Sequence, residues 1–226
     1  MMKKWTVLML FLMTSLIMAG SKIAITTKVL GKAEVKRSAP DAEYVNLKPG
    51  TVLENGDYIR TGANGFAALI FIDDKSALKV RNNTEVEISG KRSATTIAKK
   101  VNMEAGTVRA KIKKQKKTEF TIQTPTSVAS VKGTDFWFVS DPQSGDQLFG
   151  MEGVVSLTNI ISGLTQDVTA GLTGVSLLDG SLMIEQSNPS NIPVDPEETE
   201  EGSTSTLRIE FEDENGTIKT LVIEYQ

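Results

Sequence analysis

The stretch Gly50-Thr51-Val52-Leu53-Glu54-Asn55-Gly56-Asp57-Tyr58-Ile59-Arg60-Thr61-Gly62-Ala63 constrains the fold of this chain more than any other. Its glycines, an Asn-Gly step and a Gly-Asp step interrupt residues that otherwise favour extended backbone. Glycine supplies positive φ without steric cost and asparagine tolerates it, so the stretch reads as short strands joined by tight corners. Asn64-Gly65 is a further corner, and Phe66–Ile72 is apolar on both alternating faces, which predicts a strand buried on both sides. Asp57 follows a glycine, where a carboxylate usually accepts backbone N–H bonds. Arg60 either pairs with it or projects to solvent.

The same grammar runs through the chain. Val29–Arg37 reads as a strand, a corner at Gly31 and a second, amphipathic strand. Leu78 and Val80 alternate with Lys79 and Arg81, and Val86 and Ile88 with Glu85 and Glu87, which gives two strands with one wet face. Ser89–Lys100 is weakly patterned and reads as a loop. Met103–Val108 restates Leu47–Val52, and Met151–Val155 is a third echo, so a strand-corner-strand unit recurs around Gly50, Gly106 and Gly153. Phe120–Thr124 ends at Pro125, Ser127–Val131 follows, and Lys132–Asp135 turns tightly at Gly133 and Thr134 into Phe136–Val139. The expected class is all-β, a short-stranded sandwich or β-roll.

Two segments suggest surface roles. The basic run Lys111–Lys117, with Lys113 and Lys116, either meets an anionic partner or is a hairpin tip or edge strand kept soluble by lysines. Trp137 is either a stacking platform for sugar or peptide, or a core residue.

Composition removes most chemistry. Cysteine and histidine are absent, which excludes disulfides, thiol nucleophiles, Ser-His-Asp triads and Cys/His zinc sites. Asp73-Asp74 is the remaining carboxylate pair, but neighbours on a strand point to opposite faces, and a plain turn is the simpler reading. Asp141–Asp146 lacks the alternating acidic ligands of a calcium loop. We expect no catalytic residue, cofactor or metal. Residues 22–190 carry 18 acidic and 21 basic side chains, and residues 191–226 carry ten and two. A nearly neutral body argues against nucleic acid as a partner.

The ends differ in character. Lys3 and Lys4, the apolar run Trp5–Ala19 and the small residues Ala19-Gly20-Ser21 form a secretory signal over 1–21, or an uncleaved anchor. No cysteine follows, so a lipoprotein is not expected, and no later stretch is long enough to span a membrane. The body covers 22–186. Residues 187–206 form an acidic linker with Pro189, Pro193 and Pro196. Residues 207–226 read as a β-hairpin. A two-residue Asn-Gly loop would pair Ile209 with Val222. A three-residue loop instead puts Leu207, Ile209 and Phe211 on the face of Leu221, Ile223 and Tyr225, and that register is preferred. A lone hairpin is marginal in water, so this face needs a home on the body or on another molecule.

Gly50-x5-Gly56-Asp57-x-Ile59-Arg60-Thr61-Gly62, followed by Asn64-Gly65-x-Ala67-x-Leu69-x-Phe71, resembles the core of the FecR domain. Gly31-x3-Val35, Gly106-x-Val108, Phe120-x-Ile122-x-Thr124-Pro125, Val131-x-Gly133-Thr134-x-Phe136, Glu152-Gly153-x-Val155 and Ala170-Gly171 agree in order. The likeness covers about residues 28–175. It implies an all-β periplasmic module, which in the best-known members relays signals from an outer-membrane receptor to an inner-membrane sigma regulator. The chain has no sigma-binding region before its apolar segment and no receptor-contacting domain after the body, so that role is not carried over. The expectation is a stand-alone exported protein that binds an envelope protein, or alternatively a surface protein for carbohydrate or anionic polymer.

Overall fold

The computed structural model describes residues 21–93, 96–114 and 119–194, together with the backbone of two strands at 205–212 and 218–225. Residues 1–20 of the segment read as a signal, residues 115–118 and residues 195–204 of the acidic linker lie outside the described residues. The chain divides at Glu185/Gln186 into two units.

The first unit is built of strands: β1 (Lys22–Leu30), β2 (Ala33–Lys36), β3 (Val45–Asn46), β4 (Val52–Glu54), β5 (Asp57–Thr61), β6 (Phe66–Phe71), β7 (Ala77–Val80), β8 (Glu85–Arg92) and β9 (Ile97–Ile112). These are followed by β10 (Phe120–Gln123), β11 (Ser127–Val131), β12 (Thr134–Asp141), β13 (Gly145–Glu152), β14 (Val154–Asn159), β15 (Thr165–Thr169), β16 (Leu172–Ser176) and β17 (Leu182–Gln186). The class is all-β, as the alternating pattern predicts.

The strands pair in two ladders. One runs β4-β1-β6-β7-β9-β12-β13-β16, antiparallel throughout. The other runs β3-β2-β5-β8-β9-β10-β11-β14-β15, with β9 and β10 parallel. The long strand β9 belongs to both. Its residues up to Ala105 pair in the second ladder, and from Gly106 onward it pairs in the first.

The inner faces meet in a single core. Ala67, Val80, Val108, Phe138 and Leu148 form a buried row across the first ladder. Ile88, Val101, Ile122, Ala129 and Leu157 form the matching row across the second. Phe71 of β6 meets Phe120 of β10 edge-on across the gap, with ring centroids 5.4 Å apart. A fully buried side chain of this size contributes about 1.5–3 kcal/mol, so such rows are the main cohesive term.

The recurrence seen in the sequence is real, but one of its members is displaced. Pairings β5–β8, β6–β7, β8–β9 and β7–β9 recur in the same chain order as β11–β14, β12–β13, β14–β15 and β13–β16. Gly50 (φ 83°) and Gly106 (φ 119°) both lie where the chain passes from the second ladder to the first. Gly153 (φ 77°) lies between β13 and β14, where the chain passes the other way. The counterpart of Gly106 is Gly171 (φ 80°), between β15 and β16. A glycine corner records a bend but not its direction.

Two further expectations need correction. Ser89–Lys100 is not a loop: β8 and β9 stay paired from Ser89↔Lys100 to Arg92↔Ile97. The misleading residue is Lys99, which occupies an inward position between Gly90 and Phe120 in the row and is 2% exposed. The basic run is neither a hairpin tip nor an edge strand at its start, because Lys111 and Ile112 end β9 between β7 and β12.

The second unit contains a one-turn 3-10 helix, Pro189–Asn191, and two strands, β18 (Ser205–Glu212) and β19 (Ile218–Tyr225). These pair antiparallel, Leu207 opposite Ile223 and Ile209 opposite Leu221. Phe211 faces Lys219, and Tyr225 faces Ser205. This is the register argued from the apolar pattern.

Candidate functional site

The glycine-rich stretch is a framework of satisfied corners. Asp57 is 1% exposed. Its carboxylate accepts from the Glu54 N–H at 2.8 Å, the Ser38 N–H at 3.4 Å and the Arg37 guanidinium at 2.5 Å. Arg37 also donates to the Val52 carbonyl, tying β2 to β4. Arg60 is not the partner of Asp57. It donates to Glu34 at 2.7 Å and lies 3.6 Å from the centre of the Tyr44 ring. The Thr61 hydroxyl donates to the Arg81 carbonyl and accepts from the Thr84 N–H. The Gly62 N–H donates to the Lys32 carbonyl, and the Gly56 N–H to that of Ile88.

The second set of motif residues behaves alike. The Thr124 hydroxyl, just before Pro125, accepts from the Ser127 and Thr126 N–H groups and donates to Asp146 at 2.5 Å. Gly133 and Gly153 sit against each other: a Cβ on Gly153 would lie 2.7 Å from the Gly133 carbonyl oxygen.

On the outer face of β2, β5 and β8, cations cover tyrosines. The Lys36 ammonium lies 4.9 Å from the Tyr58 ring centre and 5.2 Å from that of Tyr44. Tyr44 donates to Glu85 at 3.0 Å. Burial, and then this bond, push the Tyr44 phenol up to about 12. The Glu87 charge, and then burial, raise Tyr58. The Arg60 hydrogen bond holds Glu34 below the usual carboxylate range. A raised phenol stabilises the fold fully below pH ~10, and that contribution is lost as pH rises towards about 12. A tyrosinate absorbance titration should therefore show one of the three tyrosines ionising near pH 12, and Tyr44→Phe should remove that step. Ionisation of all three near the ordinary value would contradict the Tyr44–Glu85 contact.

Asp73 and Asp74 do converge, but on a lysine. They accept from the Lys99 ammonium at 2.9 and 2.6 Å. Asp73 also caps the Ile97 N–H, and Asp74 the Ser76 N–H. They sit in the turn between β6 and β7, where the strand rule of opposite faces does not hold. The sequence signal for Lys99 was available in Ile97-x-Lys99-x-Val101-x-Met103, where a lysine holds an inward position and so needs a carboxylate nearby.

Trp137 is not a stacking platform. It is 1% exposed, and the Arg81 and Arg109 guanidinium carbons lie 5.8 and 5.6 Å from its ring centre. A ring enclosed in this way presents no face to a sugar.

The lysines fare differently. Lys111, Lys113 and Lys114, at and just past the end of β9, line an open cleft of about 690 Å³ together with Lys132, Gly133 and Thr134 of the adjoining β11–β12 corner. Asp135, Glu152, Gly153 and Val154 complete its walls. Asp135 is held by Arg109 through bonds of 3.0 and 3.1 Å. Lys116 lies outside the described residues. Among the described residues no cluster of acidic side chains could hold a metal ion. No helix there is long and apolar enough to cross a membrane.

Residues 57–156, from β5 into β14, match the family model described as FecR protein. Gly31, Gly50 and Gly171 fall outside that span. Two crystal structures of a Parabacteroides distasonis protein proposed to be an anti-sigma factor resemble the chain at 12% identity, with TM-scores of 0.49 and 0.47. Each likeness covers 58% of this chain and 60% of that one, so the chain spans about 60% of the structures it matches. No curated protein matches the chain.

Proposed function

We propose that this chain, which carries a FecR domain at residues 57–156, is a non-enzymatic signalling or scaffold module of the periplasm or cell envelope that binds another protein. The exported location rests on the signal-like pattern of residues 1–21. The C-terminal hairpin is the docking device. The observation that carries the reading is its register, which aligns Leu207 with Ile223 and Ile209 with Leu221. By the two-residue alternation of a strand these positions share one face, and a two-stranded hairpin cannot bury such a face by itself. A two-stranded hairpin also has two backbone edges that can extend a partner's sheet.

The test is capture from the envelope fraction, comparing the full chain with a chain ending at Val194. A defined envelope protein held by the first and lost by the second is expected. The same proteins on both would overturn the docking role. The alternative reading, a carbohydrate- or anionic-polymer-binding surface, loses Trp137 to burial and keeps its lysines.

A further inference from the structure

We propose that the cleft at the end of β9, beside the adjoining β11–β12 corner, binds an oligophosphate. Lys111, Lys113, Lys114 and Lys132 line this space of about 690 Å³. That size lies within the ~300–1,000 Å³ of small-molecule sites and exceeds what one phosphate needs, so a run of linked phosphates fits better. Among the described residues, two acidic side chains line the cleft. Glu152 and Asp135 line the cleft, Asp135 is already shared with Arg109, and Lys111 lies 4.0 Å from it. Lys132 also lies 3.4 Å from Glu119, in an exposed pair that contributes little.

A second feature points to an occupant. Thr134 lines the cleft and is 4% exposed, yet its hydroxyl oxygen has no hydrogen-bond partner. A buried hydroxyl without a partner is costly, and a turn about χ1 would let it donate to an anionic oxygen in the cleft. The corner is also set close to the lysines. A Cβ on Gly133 (φ 155°) would lie 3.0 Å from the Cα of Lys114, so a side chain at this corner would press on the Lys114 backbone. Lysines held together at a fixed corner repel one another, and a polyvalent anion relieves that repulsion more than a monovalent one.

The experiment is calorimetric titration of the full chain with tripolyphosphate, pyrophosphate, inorganic phosphate and citrate, at low and physiological salt. Saturable one-to-one binding is expected, tightest for tripolyphosphate and weaker at higher salt. Lys114→Ala with Lys132→Ala should weaken it at least tenfold. Thr134→Val should weaken it several-fold without lowering the melt, because the hydroxyl it removes has no partner in the fold. Lys91→Ala with Lys100→Ala, on the β8–β9 hairpin of the other ladder, should have no effect. Three results would overturn the proposal: no saturable binding of tripolyphosphate, equal loss in the Lys91/Lys100 variant, or citrate binding as tightly as tripolyphosphate.

Discussion

Replacing Asp73 and Asp74 together with asparagine is expected to lower the unfolding free energy by about 3–5 kcal/mol, the usual cost of leaving one partner of a buried ion pair uncompensated. Lys99 is 2% exposed and sits in the inward row between Gly90 and Phe120, with its ammonium 5.6 Å from the Phe71 ring centre. The carboxylates at 2.9 and 2.6 Å are what make that position tolerable for a charge. Either single replacement should cost less, because one carboxylate remains. Adding Lys99→Met to the double variant should restore most of the loss, since a well-packed apolar side chain replaces a buried charge at little cost. Denaturant unfolding of the unaltered chain and these four variants measures this. A loss under about 1 kcal/mol in the double variant would show that Lys99 reaches water.

Gly106→Ala should be nearly as damaging. Gly106 has φ 119°, a conformation that L side chains rarely adopt, and a Cβ there would fall 2.6 Å from the Cα of Thr84. It would also fall 2.3 Å from the Thr84 hydroxyl oxygen, which accepts from the Thr107 N–H. Backbone strain of about 1–3 kcal/mol and a lost hydrogen bond of about 1 kcal/mol add to a loss of roughly 2–4 kcal/mol. Gly50→Ala is the control. Its φ is 83° and nothing lies within 4 Å of the added Cβ, so only the strain of about 1–2 kcal/mol applies. Equal losses at the two glycines would contradict the close approach of β9 to Thr84.

The contrast between these glycines shows how far the sequence could be read. Period-two alternation marks Leu78–Val80 and Val86–Ile88 correctly because burial there follows the pleat, and Phe66–Ile72 is legible as a strand buried on both sides because both of its faces are apolar. The hairpin register was legible for the same reason, since one register alone aligns its apolar positions. Alternation fails at β9, where a charged residue holds an inward position and a glycine with positive φ sits inside a 16-residue strand. The local pattern there says boundary, and the structure continues. Strand direction between ladders was also hidden, which is why Gly153 was grouped with Gly106 in place of Gly171. Among the site residues, the corner roles of Asp57, Thr61 and Thr124 follow from local chemistry. The contacts of Arg37 with Asp57 and of Lys99 with Asp73 and Asp74 span 20 or more residues, and spacing alone does not reveal them. The same distance hides the cleft, whose lysines come from two separate corners.

The most direct test of a self-sufficient body with a separate docking hairpin is the thermal melt of the chain ending at Val194 beside that of the full chain. The division at Glu185/Gln186 and the pairing of β18 with β19 predict the same midpoint within about 2 °C, with partner capture lost. A midpoint lower by about 10 °C would mean that the hairpin is part of the core and that binding must be sought elsewhere on the molecule.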